Sequence, residues 1–224
     1  MKKLVFGLLL AGLALHGFTQ EVKINHNGTD GFAVESDGTP RLDGAATTWN
    51  DLRVTLDKGN SSASFSYAIG SSGPQIYWFV DNTLDAMSFT VQLPHDWKQG
   101  TTIYPHIHWM PKDNNTGTVQ WFLEYTWQNY VSAAPVAFPA ITTVNNTQLV
   151  ASNSQSKHLI TALTADNAGI DGTGKNISSI LICRIYRNAV SGNTTDTYGG
   201  NAGALFVDFH YEVDGLGSHS EYTK

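Results

Sequence analysis

The stretch YPHIHWM (104–110) sets His106 and His108 two residues apart. In an extended strand that spacing turns both imidazoles to one side. Imidazole nitrogens combined with carboxylate oxygens make a ligand set for a divalent transition metal. A second run, 204–213, places Leu205, Val207, Phe209, Tyr211 and Val213 on an apolar face and leaves Phe206, Asp208, His210 and Glu212 opposite. Glu124 falls on the less apolar face of a third run. If these faces meet, His106, His108, His210, Glu124 and Asp208 form a candidate metal site. The competing reading is a hydrogen-bonded or solvent-facing pair on a structural sheet, which is the commoner fate of two histidines at this spacing. The expected cofactor is therefore none, with a divalent metal as the one candidate.

Other patterns carry weaker chemistry. GIDGTGKN (169–176) approaches a phosphate-binding loop, but Asn176 stands where a Ser or Thr would hold magnesium. The residues that follow, ISSILICRIY, read as a strand, not as the helix whose N-terminus faces a phosphate. A turn between strands is expected there, and Asp166, Asn167 and Asp171 read as ordinary turn formers that lack EF-hand calcium spacing. Six tryptophans raise the prospect of sugar-stacking platforms. Trp121 and Trp127 lie on an apolar strand face, so Trp97, in the loop-like PHDWKQG, is the one retained as a surface ligand-binding candidate. Cys183 alternates with Leu181 and Ile185 and reads as a small core residue. No nucleophile elbow, Cys–His pairing or convincing carboxylate pair appears, so the chain is not expected to be an enzyme.

These residues need strands to position them. Period-two runs occur at 52–56, 64–68, 75–80, 86–93, 102–110 and 118–128, and again at 157–163, 177–187 and 204–213. In 118–128, Val119, Trp121, Leu123, Tyr125 and Trp127 take one face and Gln120, Phe122, Glu124 and Thr126 the other. The connector PKDNNTG carries turn chemistry, so 102–110 and 118–128 are expected to form a hairpin. Residues 132–140 and SGNTTDTYGGNAG (191–203) read as loops, the latter too polar for a core. The expected fold is all-β: a two-sheet antiparallel sandwich of jelly-roll type.

The chain has 224 residues with 14% charged side chains and a net charge of -6. One core accommodates that length, and thirteen scattered cations give no footprint for nucleic acid. MKKLVFGLLLAGLALHGFTQ (1–20) has the pattern of a secretory signal, its apolar run being short for a stable membrane span. Residues 21–48 read as an extended N-terminal arm and 49–224 as a single sandwich domain. A lone cysteine forms no internal disulfide, so packing or oligomerisation must stabilise the fold.

Two resemblances extend this reading. Gly100 followed after five residues by His106-x-His108 resembles the opening of the first cupin motif, and cupins are jelly-roll metalloenzymes; the later motif positions find no match. More of the chain resembles a family of bacteriophage virion proteins, through WNDLRV (49–54), LPHDWKQGTTIYPHIHW (93–109), VQWFLEYTW (119–127), ISSILICRIYR (177–187) and LFVDFHYEVDGLGSHSEYTK (205–224). That resemblance implies a β-rich, self-associating, non-enzymatic subunit of a capsid or tail, with other particle proteins as partners and a location in the virion. The alternatives are a secreted, extracellular β-sandwich module that binds cell-surface glycan, and a cupin-like metal-dependent enzyme.

Overall fold

Period-two alternation of apolar and polar side chains marks the longer strands of the computed structural model, which describes residues 22–26, 30–35, 38–56, 63–131 and 134–224. The signal-like segment 1–20 lies outside the described residues. Thirteen strands follow in order among the described residues: β1 (Val22–His26), β2 (Asp30–Val34), β3 (Pro40–Asp43), β4 (Thr48–Val54), β5 (Ser64–Tyr67), β6 (Gln75–Phe79), β7 (Leu84–Gln92), β8 (Tyr104–Pro111), β9 (Gly117–Gln128), β10 (Thr142–Val150), β11 (Leu159–Ala162), β12 (Ile180–Asn188) and β13 (Ala202–Val213). The only helical turn among the described residues is a 3-10 turn at Ala165–Asn167. No helix among them is long and apolar enough to cross a membrane.

The chain divides into two compact units, one comprising residues up to Thr48 with Asp214–Leu216, the other Trp49–Val213 with Gly217–Lys224. In the first, β1, β2 and β3 form a three-stranded antiparallel meander, where the sequence suggested an extended arm. Arg41 bridges Glu35 and Asp43 within it, and its guanidinium holds the Asp43 carboxyl below the usual carboxylate range.

The second unit is the sandwich. One sheet runs β11-β8-β13-β6-β5, with β4 also paired to β13; the other runs β10-β9-β12-β7. The facing orders β6-β13-β8-β11 and β7-β12-β9-β10 are the wrapping of an eight-stranded jelly roll. Strands β8 and β9, expected as a hairpin, fall in opposite sheets. Each presents one apolar face, and two such faces are buried equally well by stacking across a core as by pairing side by side. Ile107 and Trp109 of β8 thus lie in the same core as Val119, Trp121, Leu123 and Trp127 of β9.

The core is rich in large aromatics, and most of its buried indoles find partners, while Trp121 Nε1 has none among the described residues. The indole N–H groups of Trp97, Trp109 and Trp127 donate to the hydroxyls of Thr101, Thr161 and Ser179, which offsets the cost of burying them. Trp97, expected at the surface, is fully buried and lies 5.9 Å from Trp127. The polar loop after β12 also contributes to the interior, because Tyr198 is buried and Arg187, fully enclosed, binds Asp196 and the carbonyls of Tyr198 and Gly200. A guanidinium that spends its donors on buried acceptors lets a polar segment close a core. Strand β10 goes unmarked in the sequence reading because TTVNNTQLV, an outer strand exposed on one side, has no strong apolar alternation.

Candidate functional site

The outer face of the β4-β13-β8 layer collects the chemically capable side chains. Three residues come from each strand: Trp49, Asp51 and Arg53 from β4; Phe206, Asp208 and His210 from β13; Tyr104, His106 and His108 from β8. Alternation turns them outward while Leu52 and Val54, Val207 and Phe209, and Ile107 and Trp109 pack inward. The β13–β8 register sets His210 beside Tyr104, Asp208 beside His106 and Phe206 beside His108. One feature of β13 decides this arrangement. The ladder shifts by one residue between Ala204 and Phe206, leaving Leu205 outside the pairing and 37% exposed. That bulge switches the strand's parity: Ala202 and Ala204 point inward before it, and Asp208 and His210 are aimed outward after it.

The resulting surface has two parts. In one corner Trp49 stacks on His210, with ring centres 4.8 Å apart and planes 11° from parallel, and Tyr104 stands 5.8 Å away. Asp51 accepts a hydrogen bond from His210 Nδ1 at 2.7 Å. Trp49 remains 45% exposed, so the indole surface not against His210 is offered to solvent. In the other corner Arg53 lies over the Phe206 ring at 4.3 Å, and Phe206 stacks on His108.

Asp208 joins the corners. It is 5% exposed; its Oδ2 lies 2.9 Å from His108 Nε2 and its Oδ1 lies 3.3 Å from His106 Nδ1, without a hydrogen bond to that oxygen. His108 Nδ1 is in turn 2.8 Å from His158 Nε2. An ionised carboxylate only accepts, so His108 donates from Nε2, and its neutral ring then accepts the His158 proton at Nδ1. Burial pushes the His108 imidazolium below its ordinary pKa, outweighing the opposite pull of Asp208, and His158 and His106 add to the decrease. Both ring nitrogens of His108 are therefore committed to protein partners.

Of the five residues proposed for a metal, the fold brings His106, His108, Asp208 and His210 onto one face and removes the fifth. Glu124 belongs to β9 in the other sheet, where Arg184 grips it with bonds of 2.8 and 3.0 Å. Its candidacy rested on the hairpin that does not form. Among the described residues no group of three or more His, Cys, Asp or Glu side chains is arranged to hold a metal ion. Trp97 likewise leaves the set of ligand candidates by its burial. In the phosphate-loop look-alike, Lys175 turns its ammonium to the Trp127 carbonyl, and Asp171 accepts from both the N–H and the hydroxyl of Thr173. That stretch is a structural turn.

Sequence reasoning missed Trp49, Asp51, Arg53 and His158 as members of the site. The available signal was the alternation Trp49-x-Asp51-x-Arg53 against Leu52 and Val54, a polar-aromatic face on a strand with an apolar back.

No family model matches the chain, and a search of curated proteins finds no match. Solved structures similar to it include TmCBM61 in complex with β-1,4-galactotriose, at 12% identity over 74% of this chain and 88% of the other, with a TM-score of 0.29. A family 16 carbohydrate-binding module is similar at 12% identity over 68% of this chain and 89% of its own, with a TM-score of 0.33.

Proposed function

We propose that the chain is a non-catalytic carbohydrate-binding β-sandwich that receives a sugar ring on the Trp49 corner. The observation that carries this reading is the exposed Trp49 indole, braced from behind by His210 and bordered by Asp51 and Tyr104. The C–H face of a pyranose is apolar and stacks on an indole, while its hydroxyls need convergent donors and acceptors at the rim. Asp51 retains an oxygen beyond the one bonded to His210, and a carboxylate binds hydroxyls through charge-assisted bonds. Asp208 and His108, by contrast, are tied to each other and to histidine neighbours, which suits them to bracing the platform and not to moving protons for a reaction.

Calorimetric titration with a panel of oligosaccharides, β-1,4-galactotriose included, tests the reading. Binding by at least one sugar, weakened about tenfold or more (about 1.4 kcal/mol) in Trp49→Ala but retained in Trp49→Phe, is expected. Absence of heat across the panel, or binding indifferent to Trp49, sinks it.

A second reading, the self-assembling particle subunit suggested by the sequence blocks, draws on a different observation. Residues 125–156 contain no charged side chain and supply the outer strand β10. Particles or large closed assemblies seen by electron microscopy of the purified chain would favour this reading over the first.

A further inference from the structure

Strand β10 ends its sheet, bonded to β9 through nine consecutive residue pairs with no bulge. Two local bonds reveal where its remaining backbone groups point. The Thr147 N–H donates to its neighbour Asn146 Oδ1, and the Leu149 carbonyl accepts from Gln148 Nε2. In an antiparallel ladder a residue's N–H and C=O point to the same side, and successive residues alternate. Thr147 and Leu149, and with them Thr143 and Asn145, therefore face away from β9. Their backbone groups form a row that an added strand would match.

Natural edge strands are usually guarded by lysine, proline, a bulge or an inward charge. TTVNNTQLV has none of these, and the Asn146 and Gln148 amides that now occupy its backbone groups are local substitutes which an incoming backbone replaces. The Asn146 amide keeps a bond to the Thr164 carbonyl, which holds that side chain beside the edge. We propose that β10 is a self-association edge: two copies of the chain pair antiparallel through β10 about a two-fold axis, joining their four-stranded sheets into one continuous sheet. The committed occupant is a second copy because two-fold pairing sets the strand against its own sequence. A charge close to the axis would approach its own copy, whereas Thr, Asn and Gln serve as donor and acceptor at once and are self-complementary. The proposal stands independently of carbohydrate binding.

The test is the native mass of the full chain by light scattering, together with hydrogen exchange at the Thr147 amide. Wild-type protein at micromolar concentration is expected at twice the chain mass or an even multiple, with that amide protected. Thr147→Pro removes the outward N–H while sparing the bonds to β9, and Thr147→Lys opposes like charges across the axis. Each is expected to halve the mass while the far-ultraviolet circular dichroism is retained. Should the proline variant fail to fold, the lysine variant decides. A monomeric wild type, or an unchanged mass in folded Thr147→Lys, overturns the proposal.

Discussion

Two tryptophans show how far residue type alone misleads. Trp97, in a polar loop, is fully buried, whereas Trp49 is 45% exposed. Trp97→Ala should lower stability by about 3–5 kcal/mol through the cavity it leaves. Trp49→Ala should cost less than about 1 kcal/mol while affecting ligand binding. Denaturant unfolding of the two variants measures the contrast. The histidines make a separate prediction. Because His108 titrates below its ordinary value of 6.5 in the folded chain, the unfolded chain binds the extra proton first as pH falls. Its contribution to stability is thus complete above about pH 6.5 and declines as pH drops from there through the folded value. His106, His158 and Asp208 face the same ring, so the comparison is between wild type and His108→Asn. The variant's midpoint-versus-pH curve should be flatter across that window; identical curves would remove His108 from the account. The histidine face itself was legible in YPHIHWM, since alternation is a local property. What was not legible was the choice of companions, Trp49, Asp51 and Arg53 instead of Glu124.

At the scale of elements, backbone approach explains the glycines that imitate a phosphate loop. Gly169 has a positive φ of 74°, and a Cβ there would fall 2.3 Å from Thr102 Cγ2 and 2.9 Å from the Ile103 carbonyl. At Gly172 it would fall 2.1 Å from the Thr101 carbonyl and 2.9 Å from the Trp97 ring. Gly174, also at positive φ, has open space around it. Gly172→Ala should therefore cost about 1–3 kcal/mol from overpacking, and Gly169→Ala more, since left-handed strain adds to the clash. Gly174→Ala carries only the strain, about 1–2 kcal/mol. The thermal midpoint should fall most for Gly169→Ala and least for Gly174→Ala, and a Gly174 variant as damaged as Gly169 would contradict the packing explanation. The β13 bulge acts at the same scale. It aims Asp208 and His210 at the site, yet the run 204–213 reads as unbroken alternation and gives no sign that Leu205 leaves the ladder.

For the molecule as a whole, stability depends on a core closed by both apolar and polar means. Arg187→Ala should destabilise by about 3–5 kcal/mol, because Asp196 and two loop carbonyls lose a buried partner together. Cys183 is 3% exposed and burial pushes its thiol well above the usual range. Its reaction with a disulfide reagent at neutral pH should accordingly track global unfolding, accelerating with denaturant at the same midpoint as circular dichroism; fast labelling of native protein would show that the sheets open locally. The sequence by itself determined that the chain is all-β and which side of β9 and β12 faces a core, because side-chain alternation is a property of each strand alone. Only the tertiary structure decided which sheet each strand joins, that β8 and β9 stack and do not pair, that Trp97 and Tyr198 are interior, and that three strands pool their outward residues at Trp49. An apolar strand face is satisfied by any apolar partner of the right shape, so strand pattern specifies burial but leaves the choice of neighbour to long-range packing.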